Sequence, residues 1–363
     1  MKKKWIVVPS LLALTATAAF ATVPMWRPLW DRIMPQPKVV VDSAMRGQAV
    51  DTLVARLNDH YIFPDKAKQI EAVLRQRQHE GKYETITDGE QLAKQLTNDL
   101  RGVAHDLHMT VEFSPGLVPP DSAGGPPPAS QAEWEQRTNF AMRTIMKIRL
   151  RMMSYGVQKV DHLSPNIGYL QLSGFFPNFL VAEKYAATMD KLADTDGLIV
   201  DLRENRGGMP ESVALLVSYF VDERTRVNDI WDRDTGIAIQ HWTTDKLDGK
   251  RYGAKKPVVI LAGPGTMSAG EDFAYTMQAL KRATVIGERT WGGAHPARPY
   301  RLGDHFFAII PGRRSISPIT NSNWEGVGVI PDIAATPDKA LAVAKDLLQR
   351  RLGETAPLAA SGH

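Results

Sequence analysis

Ser268 stands where an apolar run, Val258–Ala262, passes through Gly263-Pro264-Gly265-Thr266-Met267 into a helical pattern. A hydroxyl at such a strand-to-helix turn is exposed at the C-terminal edge of a sheet. The N–H groups that follow it are unpaired and can receive an oxyanion. The same turn also fits a plain helix N-cap, with Glu271 three residues on completing a capping box. It is not a G-x-S-x-G elbow, because Thr266 occupies the position where that elbow needs Gly. A second apolar run, Gly197–Leu202, ends in Arg203-Glu204-Asn205-Arg206-Gly207-Gly208 with Pro210 behind it. The glycine pair allows a turn with positive φ that aims an N–H into a cleft, or simply a tight connection between strand and helix. His105 and His108 form His-x-x-His, but no H-E-x-x-H occurs and no carboxylate stands at helical ligand spacing. Read as a strand, the two histidines face opposite sides, so no metal site is expected. Glu325 lies among glycines, where its carboxylate either orients an imidazole or is a solvated turn residue.

Composition narrows the classes. The 363 residues suffice for about two domains, with 43% apolar and 23% charged residues, which excludes wholesale disorder. The net charge is +4, of which Lys2, Lys3 and Lys4 supply three, leaving too little for a basic face; no nucleic-acid partner is expected. There is no cysteine, which removes disulfides, thiolate metal sites and a Cys nucleophile. The N-terminus reads as an export signal. Lys2–Lys4 precede an apolar run from Trp5, and Ala19-Phe20-Ala21 fits a cleavage site, giving a signal peptide over 1–21. The apolar stretch over 5–23 is close to membrane-spanning length, so an uncleaved signal anchor reaching to about residue 26 is the alternative, with a membrane tether as its consequence. The expected location is periplasmic or extracellular.

The elements that must position these groups fall into two textures. Apolar spacings of three and four residues over 44–100, with Pro64-Asp65 and Asp88 as helix starts, predict a small N-terminal helical domain over 44–113. Met109–Phe113 alternates like a strand. Residues 114–130 hold six prolines and three glycines and read as a linker. A helix follows over about 131–153. Strands at Ile167–Leu172, Leu198–Leu202, Val258–Ala262 and Thr284–Ile286 then alternate with helices at Leu180–Leu192, Glu211–Phe220 and Ser268–Leu280. This predicts a mixed α/β core over 131–345, and Pro337–Leu352 adds a last helix before a tail over 346–363.

The order D-x-H, D-x-R-x-N-x-G-G, G-x-x-S-A-G-E-x-F, G-E-x-T-x-G-G-A-H-P and E-G-x-G-V-x-P-D-I resembles the tail-specific (C-terminal processing) serine peptidases. Within them it is similar to the branch named for interphotoreceptor retinoid-binding protein, which includes the tricorn core protease. The resemblance covers about residues 45–345 and takes in His60-Tyr61-Ile62-Phe63-Pro64 and Leu96–Arg101. It implies an α+β fold with a ClpP/crotonase-like spiral core. No PDZ domain is expected, since only about 55 residues separate Phe113 from Ile167. Gly293 stands where the processing-protease branch carries its Lys base, so the base must be another group.

The resemblance therefore implies acyl transfer by a serine-type peptidase. Ser268 is the nucleophile, His108, in the D-x-H position, the base, and Glu325 its orienter. Ala269 with Gly207 or Gly208 forms the oxyanion hole. His295, 27 residues after Ser268, is the alternative base. The substrate would be a peptide or unfolded protein, with no cofactor. The branch's eponymous member binds hydrophobic ligands on this fold, so a non-catalytic carrier is the competing function, and an esterase using the same groups is a third.

Overall fold

The computed structural model describes residues 38–120, 140–164 and 166–355. The signal segment over 1–21, most of the Pro-rich linker and the start of the helix after it lie outside the described residues. No described helix is long and apolar enough to cross a membrane. In chain order the elements begin with α1 (Ser43–His60), α2 (Pro64–His79), α3 (Gly89–Ala104) and β1 (Thr110–Phe113). Next come α4 (Phe140–Met152), β2 (Val157–Ser164), β3 (Ile167–Leu172), α5 (Asn178–Leu192), β4 (Gly197–Asp201) and α6 (Pro210–Val217). Then follow β5 (Arg226–Asp232), β6 (Ile237–Trp242), β7 (Val258–Ala262), α7 (Ala269–Ala279) and β8 (Thr284–Gly287). The chain closes with β9 (Ala297–Arg301), β10 (Phe306–Pro311), β11 (Arg313–Ile316), β12 (Ile333–Ala334) and α8 (Pro337–Thr355).

Two compact units result, one from the N-terminal region with Ala297–Gly312 and one from the remainder. In the first, Asp42 and Asp88 cap α1 and α3 by accepting from Met45 N–H and Gln91 N–H at 2.8 and 2.7 Å. Pro64 opens α2, where its missing N–H costs nothing. The helices bury faces such as Leu53 and Leu57, Ile70 and Leu74, and Leu92, Leu96 and Leu100. β1 pairs antiparallel with β10, and β10 with β9. Residues 297–312, which the sequence pattern places in the α/β core, thus belong to the first unit. Phe306, Ala308 and Ile310 alternate inward with Val111 and Phe113.

The second unit is built on a six-stranded sheet of order β12-β8-β7-β4-β3-β2, parallel except for β2 at one edge. β4 and β7 are buried on both faces, which is why they read as continuous apolar runs. Alternation divides them between two cores. Leu198, Val200, Val258 and Ile260 pack with residues of α5, α6 and α7, while Ile199, Val259 and Leu261 pack against Ala340, Ala344 and Leu348 of α8. A second sheet, β11-β5-β6, completes this unit. The winding brings the C-terminal ends of β4 and β7 side by side.

Candidate active site

Ser268 caps the start of α7 with φ +49° and ψ −116°, a conformation that a residue with a Cβ rarely adopts. The turn that imposes it is tied down from several sides. Thr266, fully buried, donates its hydroxyl to Leu202 O at 2.8 Å and accepts from Gly263 N–H at 3.1 Å. Met267 N–H donates to Asn205 O at 2.8 Å, which fastens the end of β7 to the turn after β4. Asn205, also fully buried, accepts from Gly207 N–H at 2.9 Å and donates to Leu172 O at 3.2 Å.

The glycine pair is required here. Gly207 has φ +93°, and a Cβ added to it would lie 2.8 Å from Ser268 Cβ. Gly208 has φ +138°, and its added Cβ would lie 1.8 Å from Phe175 O. Phe175 in turn donates to Gly207 O and accepts from Met209 N–H at 2.8 and 2.9 Å. Gly207 N–H is taken up by Asn205. Among the described residues, neither Gly208 N–H nor Ala269 N–H forms a hydrogen bond.

Glu271 is the hub behind Ser268. It is fully buried, and its carboxylate accepts from Ser268 N–H at 2.9 Å, Thr290 Oγ1 at 2.5 Å, Gly292 N–H at 2.6 Å and Gly293 N–H at 3.0 Å. Burial pushes this carboxyl above its ordinary range, against the four donors, which favour the charged form. The next residue of the same loop, Ala294, donates its N–H to Glu325 Oε2 at 2.5 Å, and His295 Nδ1 lies 3.4 Å from that oxygen. His295 is buried. Gly293, in the place of a Lys base, offers only its backbone.

His108 belongs to the first unit, on the short segment between α3 and β1. Arg101 holds the carbonyls on both sides of it, donating from Nε to Met109 O at 2.9 Å and from Nη2 to Leu107 O at 2.7 Å. Asp106 Oδ1 accepts from His108 N–H at 3.1 Å. His105, weighed above as if on a strand with His108, is not on one. It is the exposed C-cap of α3 in the left-handed region, φ +56°.

Residues 166–335 match the family described as peptidase family S41, and residues 39–147 match the N-terminal domain of peptidase S41 in eukaryotic IRBP. The chain belongs to the S41 peptidases. Carboxyl-terminal-processing peptidase 2 of Arabidopsis thaliana, described as chloroplastic, is 30% identical over 178 residues, covering 47% of this chain and 32% of that protein. The matched stretch of this S41 chain therefore spans about a third of that relative's length. The fold is shared with a lipoprotein from Streptococcus agalactiae at TM-score 0.53, with 14% identity and coverage of 87% of this chain and 100% of that one. It is also shared with the tricorn protease at TM-score 0.51, with 14% identity and coverage of 84% and 37%.

In this S41 chain the structure gathers Ser268, Ala269, Gly207 and Gly208 at one sheet edge, and joins His295 to Glu325. His108 stands in the other unit. Three residues that hold these turns are at most partly legible by motif. Asn205 and Glu271 lie within motifs, yet their partners are 2 to 62 residues away and leave no periodic trace. Arg101 lies seven residues before His108, and its role is legible only once the chain reverses between α3 and β1.

Proposed function

We propose that this S41 chain is an exported serine peptidase that cleaves peptide bonds through an acyl-enzyme on Ser268. The observation that carries the reading is the strained Ser268 turn, packed against Gly207, with the N–H groups of Gly208 and Ala269 uncommitted beside it. Ser268 Oγ attacks the substrate carbonyl, and its proton passes to the base. The tetrahedral oxyanion is received by Ala269 N–H and Gly208 N–H, because Gly207 N–H already serves Asn205. As the C–N bond breaks, the leaving amine takes the proton from the base. Water then repeats the sequence on the acyl-enzyme and frees Ser268.

His108 is the base in this reading, on its family position, with Glu325 as the group that orients the imidazole and stabilises its cation. The Arg101 clamp supports that role, since it fixes the backbone on either side of His108. The pairing of His295 with Glu325 favours His295 as the second candidate base. Export rests on Lys2–Lys4 and the apolar run behind them. The substrate is a peptide or an unfolded protein.

Labelling of the purified protein with a fluorophosphonate probe tests this, beside Ser268→Ala, His108→Ala and His295→Ala. Labelling is expected in the wild type and His295→Ala and lost in the other two. Labelling lost in His295→Ala and kept in His108→Ala would exchange the bases. A folded wild type that never labels would favour a ligand carrier, and cleavage of esters but not amides an esterase.

A further inference from the structure

α6 and α7 start at the two places the proposed reaction needs, α6 just after Gly208 and α7 just after Ser268. Their first turns carry Glu211 and Asp272. Asp272 is 3% exposed, and the Glu211 side chain 19%. Near them lies His241 of β6, 7% exposed and the cross-strand partner of Asn228 on β5. His241 Nε2 lies 3.8 Å from Glu211 Oε1, and the imidazole charge acts on Asp272. Asn228 Nδ2 donates to Asp272 Oδ2 at 3.0 Å, and Thr276 Oγ1 to Asp272 Oδ1 at 3.2 Å. One imidazole on a strand therefore lies beside a carboxylate in the first turn of α6, and its cross-strand partner Asn228 holds a carboxylate in the first turn of α7.

Among the described residues, part of this polar group has no hydrogen-bond partner. His241 Nδ1, Glu211 Oε2 and Asn228 Oδ1 are buried without a hydrogen bond. Such atoms are expensive in dry surroundings, so the arrangement is sensitive to the gain or loss of a proton. Burial raises the Asp272 carboxyl to about 6, while Asn228 and the His241 charge favour its ionised form. The titratable groups facing the imidazole are Glu211 from α6 and Asp272 from α7. β5 presents the neutral Asn228, and its neighbour Asp229 is taken up by Arg226.

We propose that Glu211, His241 and Asp272, with Asn228 between β5 and α7, form one buried charge-coupled bridge, in which His241 is a positioning residue that holds the first turn of α6 to that of α7. A proton on Nδ1 makes the ring a cation attracted by both carboxylates, and its loss leaves two buried carboxylates around a neutral ring. The bridge thereby sets the Gly207-Gly208 turn against Ser268. Its catalytic consequence rests on the serine-peptidase reading, whereas the bridge itself does not.

Two measurements on the full chain separate these. The first is a double-substitution cycle in melting temperature with Asp272→Asn, His241→Gln and both together. Because the folded-state value of Asp272 lies above its ordinary one, its ionisation opposes folding. The stability it contributes is present at about pH 4 and is lost as pH rises through about 6. Asp272→Asn should therefore raise the melting temperature at about pH 8 and leave it unchanged at about pH 4. The gain should also be compared at about pH 6, where an imidazole can still carry charge, and there it should be larger in the His241→Gln background, where the carboxylate has lost that neighbour. Equal gains in both backgrounds overturn the bridge. The second is the rate of Ser268 labelling by a fluorophosphonate across pH. His241→Gln should lose one ionisation from the wild-type profile and fall by up to about a hundredfold. A profile parallel to the wild type overturns the positioning role. A wild type that never labels removes the serine-peptidase reading and that role with it, while the melting cycle still judges the bridge. Should His241→Gln not fold, Glu211→Gln must alter the same ionisation, and an unchanged profile in it overturns the role.

Discussion

Four donors converge on the single carboxylate of Glu271 behind Ser268, whereas the segment that carries His108 is held by one arginine reaching two carbonyls. The first arrangement is buried and reciprocal. Its donors come from the nucleophile turn and from the loop leading to Ala294, so one substitution loosens both. The second is a clamp on backbone that β1 already holds through its ladder with β10. The Ser268 side should fail abruptly and the His108 side by degrees.

Glu271→Gln is the hardest test of that contrast. The amide turns an N–H donor toward N–H groups that need an acceptor. The expected loss is about 3 kcal/mol or more in stability, read by urea unfolding, and about 10³-fold in Ser268 labelling. A variant with wild-type stability would show that the loop does not depend on this carboxylate. Gly208→Ala comes next. Its Cβ would meet Phe175 O, and its φ of +138° is open only to glycine. If Gly208 N–H receives the oxyanion as proposed, displacing it should lower kcat by about 10²- to 10³-fold with KM little changed. Normal kcat would move the donor role to another N–H.

On the histidine side the effects shrink. Arg101→Lys keeps the charge but replaces a fork with a single point donor that cannot hold Leu107 O and Met109 O together. The expectation is a kcat about tenfold lower at constant KM, with melting nearly unchanged. A fall equal to that of Glu271→Gln would erase the distinction between the two sides.

The same contrast explains what the sequence displays. β4 and β7 are legible because both of their faces are buried by apolar residues. β5 is not, since its buried positions include Asn228, Asp229 and Asp232. Those side chains bond Asp272, Arg226 and Arg313, partners that only the folded chain supplies. β9 and β10 were hidden differently. Pro299 and Pro311 sit in them, and proline ordinarily demotes a strand, yet both strands belong to a small sheet where such residues are tolerated at edges and ends. At the site, residue types at turns exposed Ser268 and the glycine pair. The capping box predicted one of the four donors to Glu271, Ser268 N–H. The other three come from a loop 19 to 22 residues away, where no local pattern connects them.

Two threonines give the finest comparison, because each bridges a helix-borne frame to a neighbouring strand or loop. Thr290 donates to Glu271 and accepts from Val329 N–H at 2.7 Å, inside the nucleophile frame. Thr97 of α3 accepts from Val111 N–H at 2.8 Å and donates to Ala93 O at 2.9 Å, next to the His108 segment. Thr290→Val removes a donor from a buried carboxylate and an acceptor from a buried N–H, so about 1–3 kcal/mol and a clear drop in labelling are expected. Thr97→Val also takes the acceptor from Val111 N–H but leaves no charged group short of a donor, so about 1–2 kcal/mol is expected with labelling within about threefold of wild type. Urea midpoints and labelling rates for the pair read this directly. If Thr97→Val slows labelling as much as Thr290→Val, the histidine segment is as tightly coupled to its frame as Ser268 is, and the graded response predicted for Arg101→Lys fails with it.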